Sequence, residues 1–130
     1  MRTDKPSQKP LFYGKTEKME EKIMLDMLPK RTARSHKGIY GKVLCIAGSR
    51  NMAGAAYLCG YAALRTGAGM VRIFTPEANR IILQTLLPEA IMTTYEDRDS
   101  MLEQLTEAFS WADTVAIGPG LGKSDNSAVL

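Results

Sequence analysis

The sequence predicts an α/β fold on a mostly parallel sheet, and three observations carry that expectation. Two continuous apolar runs, 43–47 and 115–117, each break into a glycine-containing turn, as strands buried on both faces do. Segments with helical periodicity and crossover length lie between them. The resulting order, β-α-β-α-β-α-β, favours right-handed crossovers within one sheet.

Each element has its own signal. Residues 1–15 are polar, basic and broken by Pro6, Pro10 and Gly14, which reads as a tail. Met19, Ile23, Met24, Met27 and Leu28 then recur at helical spacing until Pro29, so 16–28 is an expected amphipathic helix. Residues 1–28 thus form an N-terminal tail and helix, and 29–130 the first half of a larger domain. The basic stretch 30–41 has no period and reads as a loop. Val43 to Ala47 is the expected central strand, ending at Gly48 and Ser49.

After a turn at 50–54, residues 55–65 are apolar nearly all round, the mark of a helix buried against a sheet, and Gly67 closes it. Met70 opens a second strand that Pro76 stops. The next helix, 77–87, is expected to bury Ala78, Ile81, Ile82 and Leu86, and 90–94 is a short strand. A third helix follows, with the stripe Leu102, Leu105, Phe109 and Ala112 and a capping box of Ser100 with Glu103. Asp97, Asp99 and Asp113 flank it as surface or capping residues. Beyond the last strand, Ser124 or Asp125 caps a helix that Leu130 cuts off within two turns, so the chain reads as truncated.

Composition narrows the function classes. The chain has 130 residues and a net charge of +3, with much of its basic excess before residue 43, which gives no broad case for nucleic acid. No apolar stretch approaches a membrane span, and the charged start has no apolar core behind it, so a cytoplasmic protein is expected. Cys45 and Cys59 read as small buried hydrophobes. With the lone His36 they make no metal-site spacing.

Function is sought at the glycine turns, because open α/β sheets place ligands beyond the carboxyl ends of their strands. The turn Gly118-Pro-Gly-Leu-Gly-Lys-Ser124 is neither familiar phosphate loop. A Walker loop requires glycine where Ile117 stands, and the dinucleotide fingerprint requires it where Lys123 stands.

Several motifs in register carry a family resemblance. Ser35-His-Lys-Gly-Ile-Tyr-Gly41, Ile46-Ala-Gly-Ser49, Met52-Ala-Gly-Ala-Ala56, Ala62-Ala-Leu-Arg-Thr-Gly-Ala-Gly69 and Gly118-Pro-Gly-Leu-Gly122 resemble, in order and separation, the signature series of the NAD(P)H-hydrate dehydratases. The resemblance covers roughly residues 28–130. It implies a ribokinase-like three-layer sandwich and a repair activity. ADP or ATP, with Mg2+, would phosphorylate the hydroxyl of the S epimer of hydrated NADH or NADPH, and loss of phosphate would restore the dihydropyridine. A small-alcohol kinase of the same fold and a non-catalytic dinucleotide-binding module are the alternatives.

The same resemblance assigns roles by position. Ala55, with Gly120 or Gly122, falls where the family contacts the hydrated dinucleotide, and Ser49 and Asn51 are neighbouring substrate contacts. Ser35, His36, Lys37 and Gly38 match without a chemical task. The catalytic aspartate and the glycine-rich anion hole belong to the family's later half, so no residue here is assigned to catalysis or to a metal, and the 130 residues alone are expected to be inactive. A homo-oligomer, and fusion to or cooperation with an NAD(P)H-hydrate epimerase, are the expected partners.

Overall fold

The computed structural model describes residues 31–123. The helix expected within 16–28 and the one expected from Ser124 lie outside the described residues. The chain divides into two units between Arg34 and Ser35, and the second holds every described helix and strand. These are β1 (Lys42–Ile46), α1 (Ala53–Arg65), β2 (Met70–Pro76), α2 (Arg80–Leu86), β3 (Ile91–Tyr95), α3 (Arg98–Trp111) and β4 (Thr114–Ile117), with short 3-10 turns at Lys37–Ile39 and Glu77–Asn79.

The sheet order is β3-β2-β1-β4 and every pair is parallel. Alternation along the strands supplies two cores. Cys45, Ala47, Val71 and Ile73 pack with Ala56 of α1 and Leu83 of α2. Leu44, Ile46, Phe74 and Tyr95 pack with Met101 and Ala108 of α3. The chain steps from β1 through β2 to β3 in one direction, then returns past two strands to β4. Crossovers of constant hand must put the returning helix on the opposite face, and α3 lies there.

Burial, strengthened by the neighbouring Cys59 sulfur, pushes the Cys45 thiol up to about 12, so it is no thiolate at neutral pH. Both thiols are free.

Four sequence expectations are corrected. β4 was expected to be buried on both faces, yet Val115 is 38% and Ile117 49% exposed, because β4 is an edge strand paired to β1 alone among the described residues. Helix α1 buries Ala56 and Gly60 but leaves Leu58 and Tyr61 exposed, since a helix lying on a sheet has one face to bury. In α2 the buried side chain is Leu83, flanked by Asn79 and Leu87, while Ile81, Ile82 and Leu86 face out. The segment enters as a 3-10 turn before becoming helical, which rotates its apolar stripe away from the phase of a continuous helix.

The fourth correction concerns the start of α3. Its cap is Asp97 rather than Ser100, and the reciprocal box pairs Asp97 with Ser100 rather than Ser100 with Glu103. The buried stripe accordingly begins at Met101 and continues through Ala108, with Leu105 and Ala112 partly buried and Leu102 and Phe109 exposed. Asp97 Oδ1 accepts the Ser100 N–H at 2.9 Å, and these Ser100 hydrogen bonds hold its carboxyl below the usual carboxylate range. A depressed folded-state pKa gives stability that is present above the unfolded value and disappears as pH falls through the folded one. Asp97→Asn keeps a capping oxygen without the charge. Thermal melts across acidic pH should therefore show wild type losing stability more steeply than Asp97→Asn.

The loop before β1 belongs to the amino end of the sheet. His36 Nδ1 accepts from Gly38 N–H at 3.2 Å, shaping the Lys37–Ile39 turn. Gly69 N–H donates to both the Tyr40 and Gly41 carbonyls at 3.0 and 3.1 Å. A Cβ on Gly69 would lie 1.8 Å from the Lys37 carbonyl oxygen, so only glycine lets the loop seat. Next to this end, Arg72 pairs with Glu107 at 3.1 Å and stacks on Trp111 at 4.6 Å. That contact explains a cation inside a strand.

Candidate functional site

At the opposite, carboxyl end of the sheet, the β1 and β4 turns are joined by their backbones. Gly118 N–H donates to the Ile46 carbonyl at 3.2 Å and Gly48 N–H to the Pro119 carbonyl at 2.8 Å, which prolongs the β1–β4 ladder beyond the strands. From β1 the chain leaves toward β2, whereas β4 lies on the far side of β1. This is the kind of reversal at which open α/β sheets form ligand crevices.

A cavity of about 350 Å³ opens there. Ser49 and Asn51 line it from the β1 turn and Gly122 from the β4 turn, so three of the five expected site residues share one wall space. Ala55 and Gly120 do not line it. They meet each other instead: a Cβ on Gly120 would lie 2.5 Å from the Ala55 Cβ. The two bends therefore touch at Ala55 and Gly120, and the open space lies beside that contact rather than between them.

Residues not singled out from sequence complete the walls. Arg50 and Lys123 bring positive charge, Glu96 a carboxylate, and Pro76, Tyr95 and Leu121 apolar surface. Each follows or ends a strand of the parallel sheet, and that position was the available signal. The Tyr95 ring is buried and stacks on Phe74 with centroids 5.1 Å apart, and burial pushes its phenol above the ordinary range. An adjoining recess of about 230 Å³ shares Arg50, Tyr95 and Glu96 and adds Glu77. Hydrogen bonds from Arg80 and Thr94 hold the Glu77 carboxyl below its usual range. Its Oε1 accepts from Arg80 Nε at 2.7 Å.

His36 and Lys37 lie with the loop at the amino end of the sheet, away from this cavity. Asp113 also lies at that end, where its Oδ2 accepts the Lys42 N–H at 2.9 Å. Among the described residues, no group of three or more His, Cys, Asp or Glu side chains could hold a metal ion.

Comparison with known proteins agrees with the architecture. The family model of NAD(P)H-hydrate dehydratase matches residues 43–130. The chain is 40% identical over 105 residues to an ADP-dependent (S)-NAD(P)H-hydrate dehydratase of Listeria monocytogenes, covering 81% of this chain and 37% of that protein. It is 42% identical over 98 residues to the bifunctional NAD(P)H-hydrate repair enzyme Nnr of Escherichia coli, covering 75% of this chain and 18% of that one.

Among solved structures, a ribokinase-like superfamily protein from Enterococcus faecalis superposes with a TM-score of 0.73 at 30% identity, over 82% of this chain and 36% of the other. An ADP/ATP-dependent NAD(P)H-hydrate dehydratase from Bacillus subtilis, co-crystallised with ATP and Mg2+, does so with 0.64 at 33% identity, over 83% and 38%. The chain thus spans less than two fifths of the length of each of these relatives. With its parallel sheet between helical layers and its match over 43–130, the chain has a ribokinase-like fold and belongs to the NAD(P)H-hydrate dehydratase family.

Proposed function

We propose that the protein takes part in nucleotide-dependent dehydration of the S epimer of hydrated NADH or NADPH, and that residues 29–130 supply the dinucleotide side of the site. The observation that carries this reading is the strand-tip cavity, where Ser49, Asn51 and Gly122 converge beside the Ala55–Gly120 contact. Its volume lies near the lower limit for small-molecule sites, so it suits one nucleotide moiety rather than a whole dinucleotide. Arg50 and Lys123 suit its phosphates, and Ser49 and Asn51 can hydrogen-bond the hydrated ring or a ribose. Ala55 and Gly120, being small, let the two turns come close enough to shape that wall.

ADP or ATP would convert the ring hydroxyl into a phosphate leaving group; these residues orient the ring for that transfer. Mg2+ would accompany the nucleotide on its phosphates, with water and few protein ligands; among the described residues no group of three or more His, Cys, Asp or Glu is placed to hold it. Cytoplasmic location, a homo-oligomer, and fusion to or cooperation with an epimerase belong to the same proposal. The bifunctional name of the Escherichia coli relative supports the last of these.

The test is titration of hydrated NADH into the protein, followed by ADP or ATP, with recovery of the dihydronicotinamide absorbance as readout. Binding that Asn51→Ala weakens about tenfold, as loss of one or two polar contacts should, supports the reading. No binding of the hydrate, with phosphorylation of a small alcohol instead, would overturn it in favour of a kinase of the same fold. Binding without turnover when the family's later half is also present would make it a dinucleotide-binding module.

A further inference from the structure

The β1 turn is held from within and from outside. Of its three cavity-lining residues, Ser49, Arg50 and Asn51, the Ser49 carbonyl accepts an N–H from Met52 at 2.8 Å within the same turn. The same carbonyl accepts a second bond from outside, from Asn79 Nδ2 at 3.1 Å. Asn79 Nδ2 also donates to Thr75 Oγ1 at 2.8 Å, so one amide links the tip of β2 to the wall of the cavity.

Asn79 is 0% exposed, and its Oδ1 has no hydrogen-bond partner. A buried amide with one unsatisfied oxygen returns only part of its desolvation cost, and an apolar side chain of similar volume would fill the space more cheaply. The position is therefore better explained by what the amide holds than by the stability it adds. The turn carrying it, Glu77–Asn79, is fixed at its other end by Glu77, Arg80 and Thr94, which hydrogen-bond one another next to Tyr95 and Glu96. One short turn thus touches the supports of both cavity walls, Ser49 to Asn51 on one side and Tyr95 with Glu96 on the other.

We propose that Asn79 is a positioning residue for the cavity: it sets the place of the Ser49–Asn51 wall by holding the Ser49 carbonyl, and thereby the affinity for the nucleotide moiety bound there. The second half of this statement rests on the function proposed above; the first does not. The experiment keeps them apart. Asn79→Leu keeps the branched heavy-atom shape and removes both donated bonds, whereas Thr75→Val removes one partner and leaves the bond to Ser49.

Amide hydrogen exchange is read at residues 50–53 in the ligand-free protein, alongside thermal melts and titration with hydrated NADH. Loss of one neutral hydrogen bond predicts exchange faster by about five- to tenfold, confined to 50–53, in Asn79→Leu, and a comparable loss of affinity. Thr75→Val should leave both within about twofold. Unchanged exchange at 50–53 in Asn79→Leu, or acceleration spread evenly over β1 and β2, overturns the positioning role. If wild type does not bind the hydrate, the functional reading fails while the exchange data still decide the role of Asn79. Asn79→Ala supplies the same comparison should the leucine variant not fold.

Discussion

Gly69→Ala is expected to cost about 3 kcal/mol of folding stability, a large share of what a domain of this size has. The added methyl would lie 1.8 Å from the Lys37 carbonyl oxygen and 2.9 Å from its carbon. Both are backbone atoms, so no side-chain rotation relieves the overlap, and the 35–41 loop must move. If it moves, the Gly69 N–H loses its Tyr40 and Gly41 acceptors and the first bond into β2, from Met70 N–H to the Gly41 carbonyl at 3.1 Å, is strained as well. Gly54→Ala is the control: it lies in α1 and nothing is within 4 Å of its new Cβ, so helix propensity predicts a gain of about 0.5–1 kcal/mol. Urea unfolding of both variants gives the comparison. A loss at Gly69 below about 1 kcal/mol would mean that the loop is not part of the cooperative unit.

That loop also shows what sequence could and could not disclose. The order of strands and helices was legible because each apolar run and each glycine or proline break acts locally. The Ser35–Gly41 motif was recognisable but had no task, because its purpose depends on Gly69, which lies far along the chain and meets it only in the fold. The facing of α2 was misread for a related reason. Ile81, Ile82 and Leu86 make a good helical stripe, but the buried Asn79, held by Thr75 and Ser49, turns the segment so that Leu83 points inward.

At the site, the glycines and Ser49 announced a strand-tip turn. Tyr95 and Glu96 did not, since neither sits in a motif and only the parallel pairing of β2 with β3 brings them to the same end of the sheet. The half-exposed β4 was expected to be covered because its residues are apolar; periodicity reports what a segment can bury, not what is there to cover it.

Gly120→Ala is expected to be the most damaging change at the site, and a double-mutant cycle with Ala55→Gly should show why. Gly120 has φ +69, where an L side chain costs about 1–2 kcal/mol. Its Cβ would also lie 2.5 Å from the Ala55 Cβ and 3.3 Å from the Met52 Cβ, and such overpacking adds about 1–3 kcal/mol. Gly122 separates the two costs. It has φ +76, but its nearest neighbour, Ser49 Oγ, would be 3.5 Å away, in ordinary contact, so Gly122→Ala should show the conformational cost of about 1–2 kcal/mol alone.

Ala55→Gly removes the methyl that Gly120→Ala meets. Beside a helix penalty of about 0.5–1 kcal/mol, the double variant should recover most of the overlap term, leaving a coupling of about 1–2 kcal/mol between the sites. Met52 limits the recovery, since its Cβ stays close. Affinity for hydrated NADH should follow the same pattern and fall furthest in Gly120→Ala. A wedge at this contact drives the Ser49–Asn51 wall away from Gly122, and displacement by about 1 Å can cost a hundredfold. Additive losses in the cycle would mean that the turns can separate freely, and that the cavity does not depend on their contact.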